Sequence, residues 1–243
     1  MDDLNLLFNE EQLRKKLKAF DSPERVSWDD NDFVHSAIIF LLIPHENEPY
    51  DLVLIRRTKR ANDKHSGEMG FPGGIFERKT DKSYQDTALR ELEEELGVPR
   101  GKVNLLGCID DMITPKGYII KPFVAWIDEN QKLVKEEKEV QEIVKIPISF
   151  FVNKKNYRER TFKVGDETLA VGKYKFKKGG ETYVVFGATT HLIVNFIDIV
   201  YGVCLIAPGC RRGMPKDFRT QREKLKSVVS KVKSDKDVKS FLK

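Results

Sequence analysis

Four glutamates crowd into the eight residues "RELEEELG", Arg90 to Gly97. The segment reads as the end of a helix, with Gly97 as its stop and Pro99 just beyond. A helix carboxyl end carries partial negative charge, so glutamates there are electrostatically misplaced. On a helical projection Ala88, Leu89, Leu92 and Leu96 form an apolar stripe. Glu91, Glu94 and Glu95, related by i, i+3 and i+4, share the neighbouring strip, and Glu93 falls with Asp86 on the solvent side. Three close carboxylates repel one another, and a hard divalent cation reverses the sign of every one of those terms. The plainer alternative is a wet surface stripe of good helix formers. Arg90, four residues before Glu94, can orient that carboxylate by a charge-assisted pair.

The stretch upstream narrows the chemistry. "GFPGG" places Gly70, Gly73 and Gly74 shortly before the helix, where backbone can come close to whatever the acids hold. Arg56, Arg57, Lys59, Arg60, Lys64 and His65 make the same region basic. Acids that hold a cation, beside cations and permissive glycines, suit a phosphate-bearing substrate bridged by metal. Glu139 is a further acid from a distant, charge-rich loop. His191 and Asn195, on one helix face, read as packing or interface residues, and Phe123 and Trp126 as buried strand positions.

These groups need elements to position them. A helix is expected over Glu10 to Phe20, then strands in "FVHSAIIFLLI" and "DLVLIRR". A long glycine-bearing loop leads to the acidic helix, whose start is marked by Ser83 with Asp86 three residues on, in the manner of a capping box. Beyond it come strands in "KVNLLGCI" and "YIIKPFVAWI". A charged connection, "DENQKLVKEEKEVQEIVK", runs on to "IPISFFV". A meander over "YRERTFKV", "GKYKFKK" and "TYVVFG" precedes a long apolar helix in "ATTHLIVNFIDIVYG". Helices interspersed with strands, without strict alternation, indicate one mixed α/β domain with a helical tail.

Bulk properties exclude several classes. Three scattered cysteines are too few for a disulfide framework or a zinc site, which points to a reduced, cytoplasmic protein. The amino-terminal stretch lacks the layout of a signal peptide, and "SAIIFLLI" is too short to span a bilayer. Residues 210–243 carry twelve Lys/Arg against four Asp/Glu, a net +8 within an overall +5. "FRTQREKLKSVVSKV" has helical spacing there, so a packed amphipathic helix is expected and nucleic acid is an unlikely partner.

With "GG" upstream, Arg90–Val98 resembles the core of the Nudix box, the REUxEExGU pattern in which U is apolar. Residues 56–74, "RRTKRANDKHSGEMGFPGG", are similar to the signature before that box in Nudix coenzyme A pyrophosphatases, and 139–151 and 184–199 resemble later segments of the group. The resemblance covers about 34–202 and implies an α/β/α sandwich with a mixed sheet, plus the amino-terminal helix and basic extension, all one domain over 1–243. It implies Mg2+ or Mn2+ held by Glu91, Glu94, Glu95 and the Gly74 carbonyl, with Glu91 a ligand or base and Arg90 holding the glutamates. Arg57, His65, Phe71 and Gly73 are the expected substrate contacts.

The implied reaction is hydrolysis of a diphosphate in coenzyme A or an acyl form, giving phosphopantetheine and adenosine 3′,5′-bisphosphate. ADP-ribose or another nucleotide is an alternative substrate, and non-catalytic nucleotide or RNA binding an alternative function; a homodimer is possible. Two departures stand out. The loop between Gly74 and Arg90 is longer than the box requires and lacks its glutamate, for which Glu77 or Asp81 substitutes; Ile55 stands where the narrower group has threonine.

Overall fold

The computed structural model describes residues 4–59, 67–114, 116–164 and 167–207, with side chains other than those of 162–169. In chain order the elements are α1 (Glu10–Lys16), β1 (Val34–Ile43), β2 (Asp51–Arg57), β3 (Met69–Gly70), β4 (Gly73–Ile75) and α2 (Tyr84–Leu96). There follow β5 (Asn104–Cys108), β6 (Met112–Ile113), β7 (Tyr118–Trp126), β8 (Val140–Pro147) and α3 (Ile148–Val152). Last come β9 (Tyr157–Val164), β10 (Glu167–Lys178), β11 (Glu181–Phe186) and α4 (Gly187–Tyr201).

The main sheet runs β3-β2-β1-β7-β5, with β4 added to β1, β6 to β7 and β8 to β2. Its β1–β7 pair is parallel and the others are antiparallel, so the sheet is mixed. The two central strands are buried on both faces and accordingly read as near-continuous apolar runs. Ile39, Leu41, Val53 and Ile55 point to one side, where Ala88, Leu92 and Leu96 of α2 cover them. Phe40, Leu42, Leu52 and Leu54 point to the other, against Leu192, Ile193, Phe196 and Ile197 of α4. Each such side chain contributes about 1.5–3 kcal/mol on burial, which holds both helix layers to the sheet. The architecture is the expected α/β/α sandwich.

A separate three-stranded sheet, β11-β10-β9, adds Tyr157, Tyr174, Tyr183 and Val185 to the α4-side core. Its tight turn is Gly179–Gly180, with φ of 58° and 84°, the left-handed pair that a two-residue hairpin requires.

Three expectations shift. The first helix stops at Lys16 because Leu17 turns extended and Lys18 exchanges both backbone hydrogen bonds with Cys108 at the sheet edge. The following strap is fixed by Arg25 and Lys121, both buried and both donating to the buried Asp111 carboxylate. The charged connection contains a strand, β8, which pairs with β2 along Asp51–Arg57. "IPISFFV", to which the sequence assigns no element, closes that strand with its first two residues and forms α3 with the rest. The expected tail helix lies outside the described residues. Among the described residues no helix is long and apolar enough to cross a membrane.

Candidate active site

The site is built on α2. Ser83 caps its start by accepting from the Asp86 N–H at 3.1 Å, while Asp86 accepts from the Lys82 N–H at 3.0 Å. Gly97 closes it at φ 64°. With Ala88, Leu92 and Leu96 turned fully into the core, the helix phase is fixed and the acids take the flank. Glu95 is only 2% exposed, and its Oε2 accepts from the Gly73 N–H at 2.9 Å. Glu91, one turn earlier, is half-buried against Gly74. Glu93 lies on the opposite flank, where its carboxylate and that of Asp86 accept from Arg100.

The misplaced negative charge at the helix end is answered by backbone rather than by lysine. The Val134 N–H donates to the Leu96 carbonyl at 2.8 Å and the Glu136 N–H to the Glu95 carbonyl at 3.0 Å, satisfying acceptors the last turn leaves open. The same segment carries Glu139, whose carbonyl accepts from the Thr58 N–H at 2.9 Å. One carboxylate oxygen each from Glu91, Glu95 and Glu139 lie within 4.8 Å of one another. The sequence offers Glu139 as a further acid from a distant loop, with plain surface as the alternative, and it is this segment that brings it to Glu91 and Glu95.

Electrostatics mark the two acids of α2 as under stress. Burial pushes the Glu95 carboxyl up to about 8, with Glu91 and Glu139 adding to the rise and the Gly73 N–H and Arg57 opposing it. Burial also raises Glu91, against the pull of Arg90. A cluster of carboxylate oxygens that disfavours its own ionisation is a donor set of the kind hard dications take, so the residues fit Mg2+ or Mn2+.

Arg90 organises the flank. Its Nε and Nη2 donate to the two Asp81 oxygens at 2.8 and 3.0 Å, a bidentate fork, while Nη1 reaches Glu91 at 2.9 Å and Glu94 at 2.8 Å. Asp81, its side chain 1% exposed, also accepts from Thr87 Oγ1 and the Glu77 N–H, both at 2.9 Å. The Arg90 hydrogen bonds are the main reason its carboxyl is held down to about 2. Of the two acids offered as substitutes in the lengthened loop, Asp81 meets the arginine; the exposed Glu77 contributes a backbone N–H to it.

Not every expected site residue joins the cluster. Glu94 turns outward, its side chain 56% exposed and paired with Arg90, outside the three-acid set. Phe71 is placed in the core, stacked on Phe40 at 3.9 Å, so packing rather than substrate contact accounts for it. Gly73 meets Glu95 through its N–H, and Gly74 lets the Glu91 carboxylate lie against its Cα. Among the described residues Arg57 Nε is buried without a hydrogen-bond partner, and the charge of Arg57 reaches Glu95. His65 lies outside the described residues. Phe123 is buried on Phe20, Trp126 packs on Phe8, and His191 and Asn195 are partly buried on α4.

Residues 34–159, just over half of the chain, match the family model described as the NUDIX domain. This chain is a member of the Nudix hydrolase family. Among its relatives is a protein named Uncharacterized Nudix hydrolase NudL from Photorhabdus laumondii, 33% identical over 144 residues, or 59% of this chain and 73% of that one. The NudL protein of Pectobacterium atrosepticum is 33% identical over 44% of this chain and 56% of its own length. The Arabidopsis thaliana protein named Nudix hydrolase 22, chloroplastic, is 26% identical over 68% of this chain. The match spans little more than half of those last two proteins, 56% and 55%.

Proposed function

We propose that the chain is a divalent-metal-dependent diphosphatase of nucleoside diphosphate derivatives, with coenzyme A or an acyl form as its substrate. The observation that carries this reading is the convergence of Glu91, Glu95 and Glu139 carboxylates within 4.8 Å beside an arginine-bearing strand end. A bound Mg2+ or Mn2+ would supply Lewis acidity toward a diphosphate oxygen and an activated water. Glu91 and Glu95 would hold it from α2, and Glu139 from the segment that closes that helix.

The chain's own residues account for the rest. Arg90 fixes the Glu91 carboxylate from the side, itself anchored on Asp81. The Gly73 N–H orients Glu95. Arg57, whose Nε has no partner among the described residues, would meet a substrate phosphate oxygen. Glu94 sits at the exposed rim and would join the metal set only by leaving Arg90.

The coenzyme A assignment is supported by the resemblance of residues 56–74 to the coenzyme A group's signature. A panel of coenzyme A, acetyl-coenzyme A, ADP-ribose and nucleoside triphosphates with Mg2+ or Mn2+, products read by mass spectrometry, tests it. Cleavage of coenzyme A to phosphopantetheine and adenosine 3′,5′-bisphosphate is expected. Preferential cleavage of ADP-ribose would move the substrate, and metal-independent or absent turnover would refute the reading.

A further inference from the structure

Glu139 owes its place beside Glu91 and Glu95 to a break in the alternation of β8. Side chains alternate between the two faces of a strand, so residues three apart should point to opposite sides. Ile143 and Val140 are three apart, yet both pack into the α2-side core, Val140 fully buried. The ladder with β2 accounts for this. Arg56 pairs with Glu142 but Arg57 pairs with Val140, which leaves Gln141 as an extra residue. That one-residue bulge re-aims the strand, as bulges do, and sends the chain beyond Val140 toward the acids of α2.

A bulge takes backbone groups out of the ladder, and they must be held in other ways. The Gln141 carbonyl accepts from Lys135 Nζ at 2.9 Å. The Glu139 and Val140 N–H groups both donate to the Glu136 carbonyl, at 3.0 and 2.8 Å. Thr58, the first residue past β2, grips the turn at two alternate carbonyls. Its N–H donates to Glu139 at 2.9 Å and its Oγ1 to Glu137 at 3.0 Å. The backbone bonds form whatever the side chains are, whereas the second grip depends on a hydroxyl at position 58. It ties the turn that carries Glu139 to the strand that carries Arg57. A valine there keeps the N–H, the branched shape and the strand preference, and removes that bond alone. Glu137 is exposed, so its freed carbonyl meets water and folding is not at risk.

We infer that Thr58 is a positioning residue for Glu139, its hydroxyl fixing the bulged turn so that the third carboxylate meets the other two. This rests on the metal-dependent reading of the site, and Mn2+ binding without substrate tests it apart from turnover. In calorimetric titration of the full chain, Thr58→Val should weaken Mn2+ binding roughly tenfold, the lower end of what losing a group behind a metal ligand costs. Thr58→Ser, which keeps the hydroxyl, should bind within about twofold of the unaltered chain. The loss should also run through Glu139. In a Glu139→Gln background, titrated through the millimolar range, adding Thr58→Val should change Mn2+ affinity by less than about twofold. Unchanged affinity in Thr58→Val, an equal loss in Thr58→Ser, or the same tenfold loss without the Glu139 carboxylate overturns the positioning role. If the unaltered chain binds Mn2+ with this pattern but cleaves no diphosphate, the diphosphatase reading fails and the positioning role stands. If it binds no Mn2+, both fall.

Discussion

Gly73 and Gly74 are adjacent, yet adding one methyl group to each has different consequences. At Gly73, φ is 147° and a Cβ would lie 2.4 Å from the Ala37 carbonyl oxygen and 2.6 Å from Ile38 Cα. Both are backbone atoms of the central strand β1 and cannot step aside. Strained backbone costs about 1–3 kcal/mol and overpacking a similar about 1–3 kcal/mol, so Gly73→Ala should lose about 2–6 kcal/mol. At roughly 2–4 °C per kcal/mol for a chain of this size, the melting temperature falls by about 4–24 °C. At Gly74 φ is not positive, and the nearest atoms a Cβ would meet are those of the Glu91 carboxylate, its Oε1 at 2.2 Å. That group can swing away by the ~1 Å needed to restore contact distance, so Gly74→Ala should melt within about 1 kcal/mol of the parent protein, or slightly above it. The displaced oxygen is the one Arg90 holds. A shift of that size at a reacting group lowers turnover by about 100-fold, and Mn2+ affinity should fall about 10–100-fold. Differential scanning fluorimetry with Mn2+ titration and steady-state kinetics reads all three quantities. A Gly74→Ala protein with normal turnover and normal Mn2+ affinity, or two variants equally destabilised, would refute this account of the site.

Asp81→Asn keeps the shape but removes the charge that anchors the Arg90 fork; a loss of about 2–4 kcal/mol in urea unfolding is expected, with reduced turnover, and an unchanged midpoint would contradict the anchoring role. Glu95, raised to about 8 by burial, holds a proton in the folded metal-free chain that the unfolded chain has released above the ordinary carboxylate range. Its contribution therefore favours folding at low pH and is lost as pH rises toward 8, so the metal-free chain should melt lower at pH 8.5 than at pH 6. Millimolar Mg2+ should narrow that gap, since cation and proton compete for one carboxylate; a pH-independent effect of Mg2+ would count against the assignment. Glu95→Gln should abolish metal-dependent turnover, whereas Glu93→Gln, on the Arg100 flank, should leave kcat/KM within about twofold; a large loss in the latter would mean the helix phase is misread. Glu94→Gln should fall between them, because its carboxylate meets Arg90 rather than the three-acid set.

What the sequence revealed and what it concealed have separate physical causes. The faces of α2 follow from a 3.6-residue period, so Leu92 and Leu96 inward and Glu91 and Glu95 beside them were legible without coordinates. The central strands were equally plain, because burial on both faces leaves continuous runs such as "SAIIFLLI". β8 was not, since its Gln141 and Glu142 mix polar groups into a strand that shares one edge with β2. Phe71 read as a substrate contact because it sits within the glycine-rich signature, but β1 presents Phe40 to it and the rings stack. The choice between Glu77 and Asp81 depended on which acid the lengthened loop turned inward, a matter of tertiary packing. Glu139 could be named as a further acid but not placed, for the same reason: it approaches Glu91 and Glu95 through a connection more than forty residues along the chain.

The connection from β7 to β8 does two jobs at once, closing the end of α2 and presenting Glu139. Its halves therefore differ in their freedom to change length. Extra residues at 128–132 would bulge into solvent and leave both tasks intact. A single residue inserted between Glu136 and Glu139 would put the helix closure and the third acid out of step, so only the first half of this loop has room to change length.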